Sequence, residues 1–155
     1  MASVVRVQDV IDEMDTVSNE HHAYLNKLTG ELATISDEEI RAVEEEHELT
    51  DYPGWQQEAI RKTRQIFDSD DYLPLPSKFE IHEYSIMERF CHEIEDVELS
   101  KELLSQIRGS GAFQRFKQAI HRYNIADIWY RYRQKALEQI AVNWLEANSI
   151  PYRIN

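Results

Sequence analysis

A chain of 155 residues is the length of one domain, the usual span being roughly 100–200. Its 42% hydrophobic and 30% charged content leaves enough apolar residues for a core and excludes wholesale disorder. No run of about 18 apolar residues occurs, which excludes a transmembrane helix. The opening Met1-Ala2-Ser3-Val4-Val5-Arg6 has no charged leader followed by an apolar stretch, so no secretory signal is expected. Cys91 is the only cysteine, so no intramolecular disulfide can form and a cytoplasmic, reducing home is expected. The net charge of −12 argues against general nucleic-acid binding, which draws its affinity from cations that displace phosphate counterions. Charge is also uneven: residues 1–100 hold 8 Lys+Arg against 25 Asp+Glu, and residues 101–155 hold 9 against 4. Either the two stretches neutralise each other within one molecule, or they form two binding surfaces.

In chain order, Val7, Val10, Ile11 and Met14 have the spacing of one helix face. Residues 23–26 and 32–35 flank Lys27-Leu28-Thr29-Gly30, and Gly30 supplies the positive φ of a tight turn, which predicts a β-hairpin over 23–35. Ser36 followed by Glu39 is a capping box that opens a helix running to about Glu48. Pro53-Gly54 breaks the chain, and a second helix runs from Trp55 to about Phe67 with Trp55, Ala59, Thr63 and Ile66 on one side. Pro74 and Pro76 force the loop Asp68–Lys78 into an extended path. A helix follows from about Ile81 to Ile94, with Tyr84, Met87, Phe90, Cys91 and Ile94 in one stripe. Ser100 is expected to cap the next, ending at Gly109. Helices over Ala112–Tyr123 and Ala126–Ala147 complete the set, the last stopped by Ser149-Ile150-Pro151. The expected fold is mainly α (α+β): five to seven helices over about 36–148 with one N-terminal hairpin, in a single globular domain over 1–155.

The run Gly109-Ser110-Gly111-Ala112-Phe113-Gln114-Arg115-Phe116-Lys117, then Trp129-Tyr130 and Trp144-Leu145, resembles a bacterial family of uncharacterised proteins, number 0158 in that series. Ala23-Tyr24-Leu25, Thr29-Gly30-Glu31, Ile35-Ser36-Asp37-Glu38-Glu39-Ile40 and Tyr72-Leu73-Pro74-Leu75-Pro76 extend the resemblance over nearly the whole chain. It implies one domain of bacterial cytoplasmic origin, and it implies no activity, cofactor or catalytic residue.

The best candidate site is the glycine turn. Gly109-Ser110-Gly111 precedes a helix whose first N–H groups lack internal partners, and Arg108, Arg115 and Lys117 supply positive charge nearby. The pattern is neither a P-loop nor a dinucleotide fingerprint, and the plainer reading is a helix stop at Gly109 with a cap at Ser110 or Gly111. On the last helix, with Trp129 at 0° and about 100° per residue, Tyr132, Ala136, Ile140 and Trp144 fall within about 60° and form a buried stripe. Arg133 falls inside it at about 40°, and Lys117 lies about 40° from Phe113 on its own helix. A cation on an apolar face needs a carboxylate, a route to water, or an anion pocket, here one walled by Phe116 and Trp129.

Other constellations are weaker. Aromatic and basic residues interleave from Phe113 to Arg133 as in single-strand binders, yet the aromatics coincide with core stripes, so nucleic acid is not the expected partner. His21 and His22 diverge on an extended chain and lack further zinc ligands. His82-Glu83 begins a metalloprotease helix, but Ile86 stands where the second histidine is needed. Asp68-Ser69-Asp70-Asp71 starts like a calcium loop, but Leu73 replaces the turn glycine. Cys91 reads as a buried filler, and Glu44-Glu45-Glu46 as a solvated face or, more sharply, part of a nucleic-acid mimic. The expectation is a small non-enzymatic binding or regulatory protein acting on a macromolecular partner, with protein the candidate class, and with no metal, cofactor or membrane. The alternative is an enzyme or sensor that recognises a phosphorylated small molecule at the Gly109–Lys117 turn with Arg133.

Overall fold

In the computed structural model, which describes residues 3–154, the architecture is mainly helical with short strands, an α+β arrangement as expected. Among the described residues seven helices span eight residues or more, beside a single turn, α4 (Lys78–Ile81). Two compact units divide the chain: residues 1–80 with 140–155, and residues 81–139.

In the first unit, β2 (His21–Asn26) and β3 (Leu32–Ser36) pair antiparallel with Leu25 opposite Leu32, a hairpin slightly longer than the sequence suggests. Ala23 and Leu25 alternate inward, the period-two pattern of a half-buried strand. The Asn26 side chain accepts hydrogen bonds from the Leu28 and Thr29 N–H groups, and Gly30 takes φ +78° while donating to the Asn26 carbonyl. The extended loop contributes a third strand, β4 (Tyr72–Pro74), on the other side of β2. Pro74 has no N–H to donate and is accommodated on this edge strand. A parallel pair of two-residue strands, β1 (Val5–Arg6) and β5 (Tyr152–Arg153), is too short to leave any periodicity to read.

Helix α1 (Val7–Met14) buries Val7, Val10, Ile11 and Met14, as its spacing predicts. Helix α2 (Asp37–Glu44) starts at Ser36, whose Oγ accepts from the Glu39 N–H, but it stops short of Glu48, with Glu46 at φ +53°. Consecutive glutamates oppose the dipole at a helix C-terminus, which favours the early stop. Helix α3 (Gly54–Asp68) corrects the expected face: Gln56, Ile60, Thr63 and Ile66 are buried, and Trp55 is 74% exposed. The face follows Ile60, and Trp55 lies about 140° from it at 100° per residue. Ile66 meets Ile35 and Tyr72 in a small core beneath the sheet.

In the second unit, α5 (Glu83–Glu93) follows a break at His82, φ +51°, and buries Ile86, Met87, Phe90 and Cys91. Helix α6 (Val97–Gln106) is capped by Asp96, whose Oδ1 accepts from the Leu99 N–H at 3.1 Å. Ser100, expected to be the cap, lies inside the helix and donates to the Cys91 carbonyl instead. Helix α7 (Ala112–Arg122) and helix α8 (Ala126–Ala147) follow the expected ranges, with residues 126–139 of α8 in this unit. The buried positions of α8 are Trp129, Leu137, Ala141 and Leu145, whereas Trp144 is only half-buried. The stripe therefore advances in steps of four, one position off the expected one, and Arg133 lies on its line.

Candidate functional site: an aromatic pocket with mixed charge

The glycine turn is occupied by the protein itself. The Arg115 guanidinium reaches back and donates to three carbonyls: Gln106 at 2.8 Å, Ser110 at 2.6 Å, and Arg108. Tyr84 adds a hydrogen bond to the Ile107 carbonyl at 2.8 Å. Gly109 and Gly111 take φ +75° and +80°, and a Cβ on Gly111 would meet Arg115 Nη1 at 3.0 Å. Helix α6 ends at Gln106, before Gly109, and Gly111 is the N-cap of α7 without any side-chain cap. Arg115, read from the sequence as countercharge for a ligand, closes this turn. Arg108, Gly109, Ser110 and Gly111 all face solvent.

The other candidates converge elsewhere. A pocket of about 230 Å³ is walled by Phe113 and Phe116 from α7, by Trp129 and Tyr130 from α8, and floored by Met87 of α5. Lys117 and Arg133 line it, as does Glu83 from the first turn of α5. Phe116 and Trp129 stand edge to face with ring centroids 4.9 Å apart, and Phe90 packs against both. This aromatic cluster fixes the wall: Trp129 is 4% exposed. Arg133 is ion-paired through Nε to Glu83, the two side chains retaining 24% and 33% exposure. Lys117 is exposed and has no carboxylate partner among the described residues. So Lys117, Arg133, Phe116 and Trp129 meet in one pocket, and the residues of the glycine turn do not. Glu83 enters the sequence analysis only in the rejected metalloprotease pattern, and its fifty-residue separation from Arg133 leaves no local signal of their pairing.

Other cations of this unit make no ion pair among the described residues. Arg108, Arg122 and Arg131 are exposed, with no ion pair among the described residues; Arg122 lies over the Tyr123 ring at 5.2 Å. Neutralisation of the basic stretch by ion pairs is thus seen at Arg133 and not at these positions. Ile128, Phe113 and Tyr130 are about half exposed.

The histidines diverge as expected for adjacent strand residues: His22 Nε2 meets Asp37 Oδ1 at 2.7 Å and His21 Nδ1 meets Ser18 Oγ at 3.0 Å. Among the described residues no three His, Cys, Asp or Glu side chains converge as a metal site. Cys91 is fully buried, and burial pushes its thiol up to about 11, away from thiolate chemistry at neutral pH. Among the described residues no helix is long and apolar enough to cross a membrane.

These features define a mainly helical α+β protein with a small aromatic pocket of mixed charge. The chain belongs to the Uncharacterised protein family (UPF0158), whose model matches residues 2–155. A UPF0158 protein of Pseudomonas aeruginosa is similar, 30% identical over 66 residues. That stretch covers 42% of this chain and 43% of the relative, less than half of either. No solved structure matches.

Proposed function

We propose that this chain is a small cytoplasmic binding or regulatory protein that docks an acidic segment of a protein partner on the α7–α8 face. One anionic side chain of that segment enters the aromatic pocket. The observation that carries the reading is Lys117, an unpaired ammonium at a pocket whose other cation, Arg133, is already balanced by Glu83. Phe113 and Tyr130, about half exposed and both lining the pocket, give Lys117 apolar neighbours, a mixture suited to a polar rim around apolar anchors. Size favours a side chain over a free ligand. Pockets for whole small molecules span about 300–1,000 Å³, and this one is about 230 Å³. A carboxylate or phosphoryl group fits; a nucleotide does not. The cytoplasmic placement rests on the single buried thiol.

The test measures fluorescence anisotropy of a labelled ten-residue glutamate peptide and of a phosphoserine peptide, with the wild type and Lys117→Glu. Binding that weakens by about tenfold in Lys117→Glu and falls with added salt is expected. Thermal shift against inorganic phosphate, glucose 6-phosphate, AMP and a single-stranded oligonucleotide runs in parallel, since a ligand of the folded state raises the midpoint. Stabilisation by glucose 6-phosphate or AMP without peptide binding overturns the reading in favour of a small-molecule sensor. Oligonucleotide binding without peptide binding overturns it in favour of nucleic acid.

A further inference from the structure

A second cleft, in the first unit and independent of the α7–α8 face, is built with the opposite sign. It lies where β3 runs into α2 and α3 begins, with a volume of about 580 Å³, inside the range of about 300–1,000 Å³ usual for ligand sites. Two polar side chains in it make no side-chain hydrogen bond among the described residues. Gln56, in the first turn of α3, is only 6% exposed, and its side-chain amide has no hydrogen bond among the described residues. Glu39, in the first turn of α2, keeps Oε2 out of solvent with no hydrogen-bond partner. The sequence reading has the Glu39 carboxylate completing a capping box; the Ser36 Oγ half of that box is present, and the carboxylate takes no part. Trp55 adds a third oddity, an indole 74% exposed on the same cleft.

We propose that this cleft binds an organic cation bearing several N–H donors, a guanidinium or primary ammonium group. Each of these three features fits one part of such a group. The Glu39 carboxylate and the Gln56 carbonyl are the acceptors for N–H bonds; among the described residues Glu39 Oε2 is the one enclosed polar side-chain atom left without a partner, which is costly. The Trp55 ring face attracts the charge itself. Glu20 and Glu38 stand in the same lining with carboxylates that no cation occupies among the described residues, and Asp37 is there too, already held by His22. Arg41 is the cation of the lining, so the charge around the cleft remains strongly negative. The absence of three converging metal ligands among the described residues favours an organic cation over a metal ion. The same chemistry is offered by a free amine and by an arginine or lysine of a protein.

The experiment follows amide and indole N–H resonances of the full 15N-labelled chain during titration, separately, with agmatine, spermidine, an Arg-Gly-Arg peptide and tetramethylammonium, each to about 10 mM. Shifts at the Trp55 indole and the Gln56 side-chain amide are expected with the N–H donors and much smaller ones with tetramethylammonium. Saturation by agmatine or spermidine identifies a free amine as sufficient; saturation by the peptide alone identifies a protein side chain. Trp55→Ala, at an exposed position, is expected to keep the melting temperature and weaken binding by about tenfold. Glu39→Gln is expected to weaken it similarly while preserving the backbone spectrum. No shifts with any N–H donor overturn the proposal and leave the cleft to water. Equal binding of tetramethylammonium, unaffected by Glu39→Gln, also overturns it, by reducing the site to ring-face attraction.

Discussion

Gly30 shows how much one backbone angle decides. Its φ of +78° turns the chain between β2 and β3, and a Cβ there would meet only Ser3 and Val5 atoms at 3.4 and 3.6 Å, ordinary contact distances. The cost of substitution is therefore conformational and not a clash. Gly30→Val is expected to lower stability by on the order of 1 kcal/mol or more, and Gly30→Asn by less, because asparagine tolerates the left-handed region. Equal losses for the two variants in denaturant melts would contradict this account. Glu31, next in the chain, was not legible as a structural residue. Its carboxylate accepts from Lys62 and from Tyr72 at 2.9 Å, and Lys62 in turn donates to Tyr72 at 2.9 Å. The Lys62 and Tyr72 hydrogen bonds hold the Glu31 carboxyl below the usual range. A depressed carboxylate contributes stability in full above its unfolded pKa, about 4.3, and loses it as pH falls through the lower folded value. Glu31→Gln should therefore flatten the acid limb of a stability–pH profile, with its destabilisation at neutral pH vanishing in acid. A destabilisation that persists unchanged in acid would mean that the charge on Glu31 is not what matters. The exposure of Glu31 keeps the effect small, since solvent screens such pairs.

At the scale of elements, periodicity located the helices and mis-set some of their faces. Helices α1 and α8 start and end where apolar spacing places them, because each has a long enough pattern or a clear stop. The α3 face was misread at Trp55, since one large aromatic in a first turn outweighs the smaller Ile60 in a count of apolar residues, while packing follows the middle of the helix. The α6 cap was misread because Asp96 and Ser100 both suit an N-cap, and only the fold shows that Ser100 is needed at the Cys91 carbonyl. Half of the candidate site was legible for a physical reason: a cation on a buried stripe is conspicuous, as Arg133 was. The other half was misplaced because a glycine turn beside arginines looks the same whether its polar groups serve a ligand or the turn itself. Arg115 decides it by taking three carbonyls. A lysine can reach one carbonyl in that geometry but lacks the planar fork, so Arg115→Lys is expected to destabilise the fold by about 1–2 kcal/mol. A thermal melt unchanged from wild type would return the turn to the list of open binding sites. Arg133→Met poses the matching question for the pocket. Glu83 is two-thirds buried, so losing its partner should lower stability by about 1–3 kcal/mol. Unchanged stability in urea titration would mark the pair as incidental to the fold.

For the whole molecule, the division into two units recasts the charge asymmetry. Residues 81–139 hold 9 Lys+Arg and 9 Asp+Glu, while residues 1–80 with 140–155 hold 8 against 20. The entire net charge of −12 thus belongs to the first unit, and the basic stretch seen in the sequence is part of a unit that is neutral as a whole. A split at residue 100 concealed this, because Glu83, Glu88, Glu93, Glu95, Asp96 and Glu98 lie with the basic helices in the second unit. The ion pairs between described residues of the first unit are few, and pairs such as Arg6–Asp9 and Arg61–Glu58 are local and exposed. Such pairs contribute little, about 0–1 kcal/mol each, and cannot offset the mutual repulsion of so many carboxylates. Added salt should therefore stabilise the protein. Between about 10 mM and 150 mM sodium chloride the Debye length shrinks from about 30 Å to about 8 Å, so repulsion across the first unit is largely screened. Scanning calorimetry is expected to show the melting temperature rising over that interval and then levelling. The half-buried Glu83–Arg133 pair lies in the neutral unit and should be nearly insensitive to salt, so Arg133→Met should lower the melting temperature by a similar amount at both ends of the range. A melting temperature that falls with salt would show attractive pairs outweighing repulsion, and the first unit would then need an internal source of positive charge beyond its eight cations.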